Sequence, residues 1–123
     1  MVTGLSTVLV GGGSAIGAVL RYGLGKGIGA ANHSDFPWGT WIINMLGTLL
    51  LGIFYTEFSV VHHDPQWWLL LGTGFCGGFT TFATMSADTV KLYRKTRFLA
   101  TLYLATSLGL GFLLAWLAQL WLA

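Results

Sequence analysis

The sequence predicts an all-α membrane protein of four transmembrane helices, the third broken near the middle of the bilayer. Hydrophobic residues make up 54% of the 123 positions and charged residues only 8%. A mean hydropathy of +0.72 belongs to a membrane protein rather than to a soluble core. Four apolar segments, about 3–29, 37–60, 66–90 and 98–122, are each long enough to span. Short polar stretches separate them, and nothing between them resembles a linker, so 1–123 reads as one domain.

The first segment is rich in glycine: Gly4, Gly11, Gly12, Gly13, Gly17, Gly23, Gly25, Gly27 and Gly29. Gly13–Gly17 and Gly25–Gly29 have GxxxG spacing, as does Gly74–Gly78 in the third segment. Small residues at that spacing let helix backbones touch, which is how helices associate where lipid supplies no hydrophobic drive. No basic residue precedes the first segment; Arg21 and Lys26 follow, the wrong order for a cleavable signal peptide. Pro37 and Pro65 stand where the second and third segments begin, positions at which a missing N–H costs least.

The second segment places Thr40, Asn44 and Thr48 on one face at i, i+4 steps, with Gly47 beside them. Asn44 lies about 10 Å below the surface, where an unpaired amide would cost several kcal/mol. Two readings stay open: an amide that hydrogen-bonds a neighbouring helix, or donors that replace water around an anion. The fourth segment repeats the pattern with Tyr103 and Ser107, followed by Gly111.

In the third segment the stretch 72–86, GTGFCGGFTTFATMS, interrupts the span. Gly77 and Gly78 fall roughly 16 Å deep, near the centre of a hydrocarbon core about 30 Å thick. Glycine costs a helix about 1 kcal/mol, and Thr80 and Thr81 add further poor helix formers. A helix opened at that depth leaves carbonyls that must be buried in protein, line a cavity or bind an ion. The alternative is that the glycines only let a neighbouring helix approach. Phe82 and Met85 follow at i, i+3, with Thr84 and Ser86 beside them. Phe82 either packs or faces lipid, or its electropositive ring edge meets an anion.

Basic residues are one-sided. Lys91, Arg94, Lys95 and Arg97 flank the third loop and Lys26 the first, while the middle loop and both ends have none. The positive-inside rule then places loops one and three in the cytoplasm. A net charge of +2 is too small and too localised for nucleic-acid binding. Arg21 either snorkels or draws anions into a vestibule. Glu57 and Asp88 lie near segment ends, and the absence of a mid-membrane acid argues against proton coupling. His33, His62 and His63 fall in loops. Cys76, alone, cannot form an internal disulfide, no metal-ligand spacing of Cys and His occurs, and no hydrolytic constellation stands out.

Together GGGSAIGAVLRY around Arg21, GTWIINMLGTLLLG around Asn44 and GFCGGFTTFATMS resemble the Fluc (CrcB) family of fluoride channels over the whole chain. The resemblance implies an antiparallel, dual-topology dimer with two fluoride pores in the cell membrane. It implies a central structural sodium ion on backbone carbonyls of Gly77 and Thr80 from both subunits. It places Asn44 and Phe82 against fluoride, Arg21 at the vestibule, and Thr40, Thr84, Ser86, Tyr103 and Ser107 along a polar track. Position 85 of the pore carries Met85 where the family's TTFSTF has phenylalanine, and Ala83 replaces its serine. A thioether offers no aromatic edge. That departure and the strong charge bias leave the dimer's partner open: the chain itself, or an oppositely oriented paralogue. Rival readings are a small dual-topology four-span drug or cation exporter, whose first-span glutamate this chain lacks, and a non-conducting assembly subunit.

Overall fold

A computed structural model describes residues 4–80 and 82–122. Thr81, singled out above as a poor helix former, and the expected start of the first span at Thr3 lie outside them. The described residues are helical almost throughout. A first helix runs Gly4–Ala31, a second Trp38–Val61 and a last Arg97–Leu122, each long and apolar enough to cross a membrane. The third segment is divided. Its first piece covers 65–79, and its second piece is Phe82–Lys95.

Local chemistry sets these ends. Asn32 closes the first loop, its amide donating to the Phe36 carbonyl at 2.8 Å while its oxygen accepts from the Ser34 amide at 3.0 Å. Asp64 caps the third helix by accepting from the Trp67 amide, with Pro65 at the first helical position as expected. At its far end the second helix loosens into i→i+5 turns over Tyr55–Val61, and the third helix does the same over Trp68–Cys76. His63, at φ 49°, turns the chain between them.

The helices run alternately up and down. Helices one and three lie parallel, as the order of their contacts requires: Gly13 seats on Leu70 and Phe75, and Gly17 on Phe75 and Phe79. From the other side Gly74 meets the Val10 carbonyl, at 2.8 Å from where a Cβ would stand, and Gly78 meets the Ser14 backbone. The two GxxxG pairs therefore form one seam, backbone against backbone. Gly25–Gly29 makes no comparable seam within the chain; Gly29 faces open space. Helix two runs parallel to the last helix, with Gly52 against Ala115 and Gly111 against Met45 and Thr48.

One expectation moves. Gly77 and Gly78 were expected to open the third helix, yet both are helical, in Gly77–Phe79. The chain leaves the helix at Thr80, whose φ −84°, ψ 157° is extended. Contact with Ser14 holds Gly78 in the helix against its propensity, which a cost near 1 kcal/mol cannot resist. At Gly78 the packing alternative is the one observed.

Candidate functional site

Two kinds of hydroxyl stand out among the described residues of these helices. Those of Thr48, Thr56, Thr80, Thr89 and Thr106 each donate to the carbonyl four residues back, at 2.6–2.8 Å. That is how a threonine satisfies itself in an apolar helix. The Tyr103 and Ser107 hydroxyls do otherwise: both are buried, and neither has a hydrogen-bond partner. A buried polar atom left unpaired costs about 1–3 kcal/mol. Two of them one helical turn apart are costly unless something else occupies them.

The last helix presents both toward helix two. Asn44, 9% exposed, and Gly47 lie on the buried face of helix two. Thr40, half-buried one turn before Asn44, stands with Asp88 around the Tyr103 hydroxyl. Behind the hydroxyl, the Tyr103 ring meets Phe36 edge-on at 5.4 Å and packs in a cluster with Met85, Leu92 and Ala100. Trp41 packs on the same cluster and donates its indole N–H to the Thr106 hydroxyl at 2.9 Å. These contacts fix the tyrosine ring and aim its oxygen at Thr40 and Asp88.

Arg21, Thr40 and Thr84, separate in sequence, share the wall of one open cavity of about 510 Å³. Lys26 and Asn32 line it too, so two cations from the first helix face the mouth beside Thr40. A cavity walled by cations and neutral hydroxyls raises local anion concentration.

The remaining sites expected from the sequence fall elsewhere. Phe82 opens the second piece of the divided segment and is 72% exposed. Met85 points inward and is buried with Tyr103 in the apolar cluster, so within this chain it acts as packing behind the tyrosine. Ser86 is half-buried. Gly77 is exposed, with open space where a Cβ would be. Thr80 ends its helix, its amide and hydroxyl both bonded to the Cys76 carbonyl at 2.9 and 2.8 Å. Among the described residues no group of three His, Cys, Asp or Glu side chains could hold a metal ion.

Two neighbours of the site were not singled out from the sequence. In the sequence Asp88 is only an acid near a segment end; its spacing of four from Thr84 is the signal that both share a face. Phe36 lies in a loop, and no periodicity marks a loop residue as the lid on a tyrosine.

The model of the family described as CrcB-like protein, Camphor Resistance (CrcB), matches residues 8–119. A fluoride-specific ion channel FluC 2 of Bacillus subtilis (strain 168) is 46% identical over 110 residues, covering 89% of this chain and 80% of that protein. A fluoride-specific ion channel FluC of Leptospira interrogans serogroup Icterohaemorrhagiae serovar copenhageni (strain Fiocruz L1-130) is 40% identical over 116 residues, 89% and 90% of the two chains. One of Serratia proteamaculans (strain 568) is 39% identical over 128 residues, 99% and 98% of the two.

Proposed function

The chain belongs to the CrcB family and is an integral, multi-pass membrane protein, and on that premise we propose that it is a passive fluoride channel rather than an enzyme. The observation that carries the proposal is the pair of buried, unpartnered hydroxyls of Tyr103 and Ser107. Fluoride is small and strongly hydrated. It enters an apolar protein only where donors replace its water, and selectivity follows from how well they do so. The Tyr103 and Ser107 hydroxyls are donors without an assigned acceptor, and the Asn44 amide lies across the same helix pair. Arg21 and Lys26 concentrate anions at the mouth. No ATP or proton coupling is required; fluoride leaves the cytoplasm down its gradient.

The working unit in this proposal is an antiparallel, dual-topology dimer with two pores. Four spans enclose little interior, and Phe82, Thr84 and Gly77 are exposed in the single chain, which suits them to a partner. A sodium ion would sit between subunits on the Gly77 and Thr80 carbonyls. The fit is chemical: Na⁺ is a hard cation that takes oxygen ligands, Gly77 is open to approach, and the helix ends there. Bound there, the ion supplies positive charge that ties helix ends together. Because the basic residues are one-sided, the partner is either a second copy or an oppositely oriented paralogue.

The test is fluoride efflux from liposomes holding the purified chain, read with a fluoride electrode against a chloride control. Fast fluoride-selective efflux is expected. A well-folded protein that passes neither ion alone, nor with an oppositely biased paralogue, would leave a packing-only subunit as the reading.

A further inference from the structure

At the end of the molecule where the first and third loops meet, two cavities adjoin. One, about 430 Å³, is lined by Lys91, Arg94 and Lys95 with Asp35 and Asp88. The other, also about 430 Å³, is an apolar groove formed by Phe36, Trp38, Trp41, Leu99 and Leu102, with Thr106 at its side. Asp35 belongs to both walls, and Lys95 Nζ reaches its carboxylate at 3.3 Å, so the cationic pocket opens onto the groove at this pair. The three cations exceed the two carboxylates by one charge. Arg97, the next cation along, is turned aside over the Tyr93 ring at 5.3 Å.

This juxtaposition has a chemical meaning in a bilayer. Trp38 and Trp41, held edge to face at 5.6 Å, mark headgroup depth, where amphipathic rings settle. Above them is net positive charge, and below them an apolar channel of acyl-chain character. A zwitterionic lipid would bring its own cation to the pocket. An anionic phospholipid brings a phosphate with no compensating charge, so the complementarity selects it. We propose that an anionic phospholipid binds here as a specific ligand, its phosphate among Lys91, Arg94 and Lys95 and one acyl chain along Trp38, Trp41 and Leu102. None of Thr40, Asn44, Thr84, Tyr103 or Ser107 lines either cavity, although Asp88, Phe36 and Trp41 stand between the two sites.

The test uses the tryptophans as reporters. Trp67, Trp68 and Trp116 gather at the opposite end of the molecule, around Tyr55 and Phe58, and Trp121 lies at that end too, in the last turn of the last helix beside Ile53. The full chain is placed in phosphatidylcholine vesicles carrying a few per cent of brominated lipid, either phosphatidylglycerol or phosphatidylcholine, and tryptophan quenching is compared. Phosphatidylglycerol is expected to win at this site by about fivefold or more, the factor that one lysine or arginine near a charged headgroup supplies. The excess should vanish in W38F/W41F and fall to about one in R94Q/K95Q, while quenching by brominated phosphatidylcholine persists and shows the variants inserted. Equal quenching by the two lipids in the unsubstituted chain would overturn the proposal, as would an excess that survives either double substitution. Erasure of the excess by inorganic phosphate, at matched ionic strength, would assign the pocket to free anions and overturn the lipid site as well.

Discussion

Two seams hold this chain together, and they differ in how far backbone contact carries them. Between the first and third helices the contact is backbone on backbone: Gly13, Gly17, Gly74 and Gly78 each face a main chain with no room for a Cβ. Between the second and last helices only Gly52, on the Ala115 backbone, packs that way; nearer the first loop side chains make the contact, and the Tyr103 and Ser107 hydroxyls lie buried there without a hydrogen-bond partner in this chain. In lipid, association has to come from close packing and satisfied polar groups. The glycine seam meets that demand by close packing. The polar seam falls short of it at Tyr103 and Ser107, and that shortfall is what the proposed fluoride path draws on.

Substitutions can break that contrast. The largest effect is expected at the glycine seam: Gly13→Val or Gly78→Leu drives a side chain into the main chain of Leu70 or Ser14. The cost should exceed the roughly 1–3 kcal/mol of ordinary overpacking, read as loss of monodisperse protein in size-exclusion chromatography. Gly109→Ala, on the open side of the last helix, should leave folding intact or improve it by up to about 1 kcal/mol. Next comes the polar seam. Asn44→Leu should lower fluoride flux by about a hundredfold, a loss of the order expected when hydrogen-bond donors to a buried charge are removed, while leaving assembly intact by the same chromatography. Smaller again is Thr106→Val, which takes the acceptor from the Trp41 indole and should lower stability by about 1 kcal/mol in thermal unfolding. The smallest effect should be Glu57→Gln, whose partner His62 stands 3.3 Å away at the surface; exposed pairs of this kind contribute about 0.2–1 kcal/mol.

The same contrast explains what the sequence makes legible. The starts of the second, third and last helices emerge closely, since Pro37, Asp64-Pro65 and the basic third loop are local signals, while the third segment runs on past 90 to Lys95. Tyr103 and Ser107 also emerge, because i, i+4 spacing alone puts them on one face. The point of interruption in the third segment does not. Propensity marks Gly77 and Gly78, but the break falls at Thr80 because Ser14, more than sixty positions away, packs onto Gly78. Met85 is a similar case: its spacing from Phe82 suggests a shared role, while the fold buries Met85 behind Tyr103 and leaves Phe82 exposed. Asp88 and Phe36 gather around Tyr103 only through tertiary structure. What was hidden is what one helix does to another.

The central claim is that the polar seam gives up stability to provide donors for an anion. The most direct measurement is a paired one on Tyr103→Phe/Ser107→Ala, which removes both hydroxyls and almost no volume: thermal unfolding in detergent and fluoride efflux from liposomes, beside the unsubstituted chain. The account predicts unfolding at the same or a higher temperature, since two unpaired buried oxygens are gone, with efflux reduced at least about tenfold. Unchanged efflux, or a protein that is clearly less stable, would show that these hydroxyls serve packing and would contradict it.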